Sequence, residues 1–137
     1  TTSVNAYRGI ITAPGKSLKV RAKAVKDLVL KMKSNYLKRA EQADSIHAEI
    51  ERSPYPVLVC GDFNDTPASY TYRQIRKGLT DGFRDCGSGY QYTFRQLYKL
   101  WRIDYVFYSE SLKGYECYSP ETSYSDHNMV VWKGIIN

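Results

Sequence analysis

The stretch that most constrains this chain is Pro56-Val57-Leu58-Val59-Cys60-Gly61-Asp62-Phe63-Asn64-Asp65, an apolar run that passes straight into glycine and a polar loop. A short apolar run bounded by turn residues suits a strand covered on both faces, as in a mostly parallel sheet. In open α/β sheets ligands collect beyond the carboxyl ends of strands, which is where Asp62 and Asn64 fall. The same residues are also turn formers, because Gly, Asn and Asp tolerate turn geometry and cap the next segment. Taken alone, the stretch supports both readings.

A helix is the other large element. From Ser17, a residue type suited to an N-cap, Leu18, Ala22, Val25, Val29, Met32, Tyr36, Ala40, Ala43, Ile46 and Ile50 recur at three-and-four spacing. Unbroken, such a helix would be roughly 50 Å long at about 1.5 Å per residue, so a kink or break near Lys33-Ser34-Asn35 is expected. His47 lies beside the apolar stripe and reads as a partly exposed helix histidine. Ser53-Pro54-Tyr55-Pro56 ends the helix, because a residue before proline is pushed out of helical geometry. Residues 16–39 hold nine Lys or Arg against the single acid Asp27, within a whole-chain net charge of +6. That segment either attracts phosphate-rich partners such as nucleic acid or anionic lipid headgroups, or forms a solvated helix face.

The remaining elements are shorter. Residues 6–12 have strand-like composition. Thr66-Pro67-Ala68-Ser69 turns into a short helix bearing Tyr72, Ile75 and Arg76, with Gly78 as its stop. Residues 79–101 read as a loop rich in Gly, Asp and aromatics, most flexible at Gly87-Ser88-Gly89. The chain's 13 tyrosines suit either stacking surfaces or half-buried strand positions. Arg102-Ile103-Asp104-Tyr105-Val106-Phe107-Tyr108 is a second strand, and a carboxylate inside it needs a partner. Arg102, two residues away on the same face, would serve. A last strand, Met129-Val130-Val131-Trp132, comes directly after Ser125-Asp126-His127-Asn128.

A chain of 137 residues predicts a single α/β (α+β) domain over residues 1–137, and 42% hydrophobic content supplies a modest core. No run approaches the roughly 20 apolar residues of a membrane span. The opening Thr1-Thr2-Ser3 lacks an initiating methionine, which points to processing or to a piece of something longer. Cys60, Cys86 and Cys117 form no pattern of zinc-ligand spacing. Cys60 is expected to be a small buried hydrophobe, and a disulfide between Cys86 and Cys117 stays open.

Three polar clusters thus abut strands, in the order Gly61-Asp62-Phe63-Asn64, Arg102-Ile103-Asp104-Tyr105 and Ser125-Asp126-His127. In that order, from about Ser34 to the end, the sequence resembles the C-terminal half of the endonuclease/exonuclease/phosphatase superfamily, the deoxyribonuclease I-like group. The resemblance implies half of a four-layer α/β sandwich: one mixed sheet with a long and a shorter helix. It also implies hydrolysis of a phosphodiester or phosphomonoester by an activated water, with magnesium, or manganese in its place, as cofactor. Hard carboxylate oxygens suit such ions.

By the same resemblance Asp126 is a metal ligand, and Asp62 orients or deprotonates the water while approaching the metal. Asn64 bonds the phosphoryl group, and Asp104 fixes the ring of His127. Which of Asp62 and His127 is the base is left open, and Asp65 reads as a turn former. Nothing here matches the family's N-terminal half, which carries a glutamate metal ligand. Weak activity alone is therefore expected, with a sheet face left to recruit the absent half or a second copy. The substrate expected is nucleic acid, ahead of an inositol phosphate or a lipid headgroup. The competing reading is a non-catalytic binding or scaffolding domain that keeps the fold.

Overall fold

A computed structural model describes residues 18–95 and 101–136. The strand expected over residues 6–12 and the N-cap Ser17 lie outside them. The chain divides into two compact units, residues 1–41 and 42–137. Helix α1 (Leu18–Arg52) is the longest element, 35 residues without a break. It runs through Lys33-Ser34-Asn35 without the break expected there, because Ser34 and Asn35 only lower helix propensity. In the first unit α1 exposes Val25, Val29, Met32 and Tyr36, which share one face at 4-3-4 spacing.

The second unit holds the sheets. β1 (Leu58–Asp62), β2 (Thr80–Asp81) and β3 (Asp104–Tyr108) form a three-stranded sheet in the order β1-β3-β2. β4 (Leu112–Tyr118) and β5 (Val131–Ile136) form a separate pair. Each of these pairings is antiparallel. The class expected from the sequence therefore holds, but the parallel and mixed pairing does not. An apolar run is compatible with either direction of pairing and does not set it.

Nor is β1 covered on both faces. Leu58 is 48% exposed and Cys60 is exposed, so that cysteine is not a buried hydrophobe. The last strand starts two residues later than expected and runs on to Ile136. Residues 79–101 are not simply a loop, because β2 and a short helix, α3 (Gly82–Cys86), lie within them. Cys86 and Cys117 are both free thiols.

One aromatic core fixes the central strand. Ala43, Tyr72, Ile75, Leu79, Tyr105 and Phe107 are buried together, with Ile50, Val59 and Phe63 packed against them. Tyr72 meets Tyr105 at 5.0 Å and Phe107 at 5.3 Å, both edge to face, an arrangement the ring quadrupoles favour. His47 is only 6% exposed, not partly exposed as expected, because it shares the α1 face of Ala43 and Ile50. Helix α2 (Tyr70–Arg76) follows the expected turn, and Ser69 is its N-cap, its Oγ accepting the Tyr72 N–H. Gly78, at φ 76°, turns the chain after it.

Candidate functional site

Antiparallel pairing does what the expected parallel sheet was meant to do. The register sets Asp62 opposite Asp104, so the end of β1 meets the start of β3 although 41 residues separate them. The loop before β5 then carries His127 to the same place. His127 Nδ1 lies 2.9 Å from Asp104 Oδ2. Ligating atoms of Asp62, Asp104 and His127 all fall within 4.8 Å of one another. They line a cleft of about 360 Å³ together with Cys60, Tyr124 and Met129 among others.

Each side chain has a local reason for its pose. Asn64 has φ 51°, and its backbone N–H donates to Asp62 Oδ1 at 2.8 Å while its amide Nδ2 donates to Oδ2 at 3.2 Å. The turn reading and the site reading of Gly61-Asp62-Phe63-Asn64 are thus both true: the turn is what aims the carboxylate. Asp65 is structural, accepting from Thr71 Oγ1 at 2.9 Å and, through its carbonyl, from the Tyr105 hydroxyl at 2.8 Å. Asp126, next to His127 in the chain, is exposed and stands outside the group of three, with its carbonyl accepting the Arg95 N–H at 2.8 Å.

The carboxylates set the charge of the ring. Partial burial alone would lower the pKa of His127, but the hydrogen bond to Asp104 and the negative charges of Asp104, Asp62 and Asp126 outweigh it. The net effect holds the imidazole above its ordinary value. With Nδ1 turned to Asp104, Nε2 is the nitrogen left for chemistry.

Arg102 is not the partner of Asp104, as the sequence suggested. β3 begins only at Asp104, so the same-face argument fails for a residue lying before the strand. Arg102 instead forms a buried two-point pair with Asp81, at 3.0 and 2.6 Å. Tyr72 donates its hydroxyl to the same Asp81 at 2.6 Å, and Asp81 also caps α3 through the N–H groups of Phe83 and Arg84. Its carboxyl is held below the usual range: burial works against this, but the Arg102 and Tyr72 hydrogen bonds prevail.

Sequence reasoning missed the frame that holds the site. Thr122 Oγ1 donates to the His127 carbonyl at 2.8 Å, and the buried Asn128 accepts the Thr122 N–H at 3.3 Å. Arg95 donates to the carbonyls of Thr122 and Ser125. None of these has a signal of its own, since Thr and Asn are ordinary loop residues and only long-range pairing gives them a role.

An antiparallel α+β unit that gathers two carboxylates and an imidazole at one strand end has the arrangement of the C-terminal part of a deoxyribonuclease I-like fold. The chain belongs to the endonuclease/exonuclease/phosphatase family, which matches residues 22–127. Members of that family are mostly hydrolases of phosphate esters. A solved endonuclease/exonuclease/phosphatase from Bacteroides vulgatus is 25% identical with a TM-score of 0.64, over 72% of this chain and 44% of its own. A mannosyl-6-phosphatase of Bacteroides thetaiotaomicron is 22% identical with a TM-score of 0.52, over 88% of this chain and 47% of its own. A conserved protein of unknown function from Enterococcus faecalis aligns with a TM-score of 0.66 at 21% identity, over 74% of this chain and 46% of its own. The chain thus spans less than half the length of these structures. No curated protein matches it.

Proposed function

We propose that this chain supplies the water-activating half of a metal-dependent phosphoesterase. The observation that carries the reading is the convergence of Asp62, Asp104 and His127 within 4.8 Å at one cleft. Carboxylate oxygens of Asp126 and Asp62 would hold the ion, magnesium or manganese, because hard divalent cations prefer such donors. When bound, that ion neutralises charge on the phosphoryl group and polarises it.

The remaining roles belong to side chains. Asp62, aimed by Asn64, orients the water and takes its proton, and the second N–H of the Asn64 amide reaches a phosphoryl oxygen. Asp104 holds the His127 ring so that Nε2 faces the same oxygen. The hydrogen bond to Asp104 and the surrounding carboxylates favour the charged, donor form of His127, and the base role in this reading goes to Asp62. The exposed lysines of α1 favour a polyanionic substrate, with nucleic acid ahead of inositol phosphates or lipid headgroups.

Two experiments test this. Titrating the protein with Mn²⁺ should broaden the ring resonances of His127 before those of His47, and Asp126→Ala together with Asp62→Asn should abolish the difference. Equal broadening of both rings in the unaltered protein would refute the metal assignment. A hydrolysis panel of DNA, abasic DNA, inositol phosphates, sphingomyelin and mannose 6-phosphate, with and without chelator, would then name the substrate. It should be run on the chain supplemented with the N-terminal half of a relative. Turnover that survives His127→Gln, or that a chelator leaves untouched, would exclude the mechanism.

A further inference from the structure

Thr93 has no exposed surface at all, yet it lies in an aromatic-rich segment outside the named strands. Its hydroxyl oxygen accepts two backbone donors, the N–H groups of Ile103 and Asp104, each at 3.0 Å. Its carbonyl accepts the N–H of Asn128, the residue after His127, at 2.6 Å. Its own N–H donates to the Trp101 carbonyl at 3.0 Å. One residue is thus bonded to the backbone on both sides of the acid–imidazole pair.

We propose that Thr93 is the positioning residue of the Asp104–His127 pair, its hydroxyl fixing where β3 delivers the carboxylate and its carbonyl fixing where the loop delivers the ring. The next residue works in the same direction, since the Phe94 ring lies 5.1 Å from the His127 ring and its backbone bridges to His127. Asn128 closes the far side by donating Nδ2 to the Tyr92 carbonyl at 3.3 Å. The segment from Tyr92 to Phe94 therefore acts as a splint between two stretches that the chain brings in separately.

Chemistry selects the residue type. Two buried N–H groups converge on one point, and a hydroxyl oxygen offers two lone pairs there. Valine would fill the same space and accept nothing, whereas serine would keep the acceptor and lose only a methyl group. With the splint intact, Asp104 accepts from Nδ1 and the neutral ring is held as the Nδ1–H form. The bearing of this on turnover rests on the hydrolase reading, but the geometry does not.

The test therefore reads the ring and not the reaction. Long-range proton–nitrogen spectra of the 137-residue protein, with chelator and at a pH where imidazoles are neutral, report the tautomer of each histidine, and His47→Gln assigns the pair. His127 should be Nδ1–H in the unaltered protein and in Thr93→Ser. Thr93→Val should shift it to a majority of the Nε2–H form that free imidazole prefers. An unchanged tautomer in folded Thr93→Val, or an altered one in Thr93→Ser, would overturn the proposal.

Hydrogen exchange in the unaltered protein gives a second readout that does not depend on any variant folding. The amides of Ile103, Asp104 and Asn128 should be protected to a similar degree. Rapid exchange at Asp104 and Asn128 would equally overturn the assignment.

Discussion

At the scale of single residues, Asp104 and Asp81 have been given opposite tasks. Asp104 raises the pKa of His127, so the folded state binds the ring proton more tightly than the unfolded chain does. That stabilisation is complete below the unfolded imidazole value of about 6.5 and is lost as pH rises through the folded value. Asp104→Asn should therefore be most destabilising near and below about pH 6.5, with the gap to the unaltered protein narrowing in alkali. Urea midpoints across that range, taken in chelator, check it, and a gap independent of pH would detach Asp104 from the ring. Asp81 is the converse case, since its pKa is lowered and its contribution is present above the ordinary carboxylate range and disappears only in strong acid. Asp81→Asn strands the buried Arg102 guanidinium, which lies 4.8 Å over the Tyr105 ring. Breaking a buried pair in this way costs about 3–5 kcal/mol, so thermal unfolding should show a loss of that order.

At the scale of elements, junctions rather than interiors decide the arrangement. Gly87 closes α3, and a Cβ there would sit 2.6 Å from the Phe83 carbonyl oxygen, a backbone atom that cannot swing away. Gly87→Ala should cost about 1–3 kcal/mol as overpacking, and it should disturb the bridge from Gly87 to Cys117. Denaturant melts with wild-type slope and a lowered midpoint would show it. The same junctions explain what could be read in advance. β1, α1 and α2 were legible because apolar spacing and caps are local signals, and the clusters at Asp62, Asp104 and His127 were legible because three polar groups abut apolar runs. The direction of strand pairing was not, because an apolar run as short as β1 is compatible with either direction and its partner strand lies far along the chain. The Arg102–Asp81 pair was not either, because it joins residues 21 apart through the unforeseen β2. Thr93 and Asn128 were invisible too, since their side chains bond to backbone groups of distant segments and carry no compositional mark.

At the scale of the whole molecule, the chain spans 44–47% of the length of the structures it resembles, and the apolar groups it leaves exposed acquire a meaning from that. In the second unit β1 is an edge strand of its sheet, with Leu58 48% exposed, and β5 ends in Ile135 and Ile136 at 50% and 73%. An edge with unpaired backbone groups and apolar side chains is a template for another chain. In the full-length relatives there is enough further polypeptide to cover such surfaces. The 137-residue protein should therefore associate with itself, and sedimentation velocity should show a weight-average mass that grows with concentration. Covering one leucine-sized side chain stabilises a contact by about 1.5–3 kcal/mol, so removing two such contacts should weaken association well over tenfold. Leu58→Lys with Ile135→Lys is the variant to compare, because both side chains are about half exposed in the folded chain. If the unaltered protein stays monomeric at every concentration, these faces need no partner, and the requirement for a complementary half falls with them. If the unaltered protein associates and the double variant does not, adding the N-terminal half of a relative should compete with self-association and raise phosphoesterase turnover together.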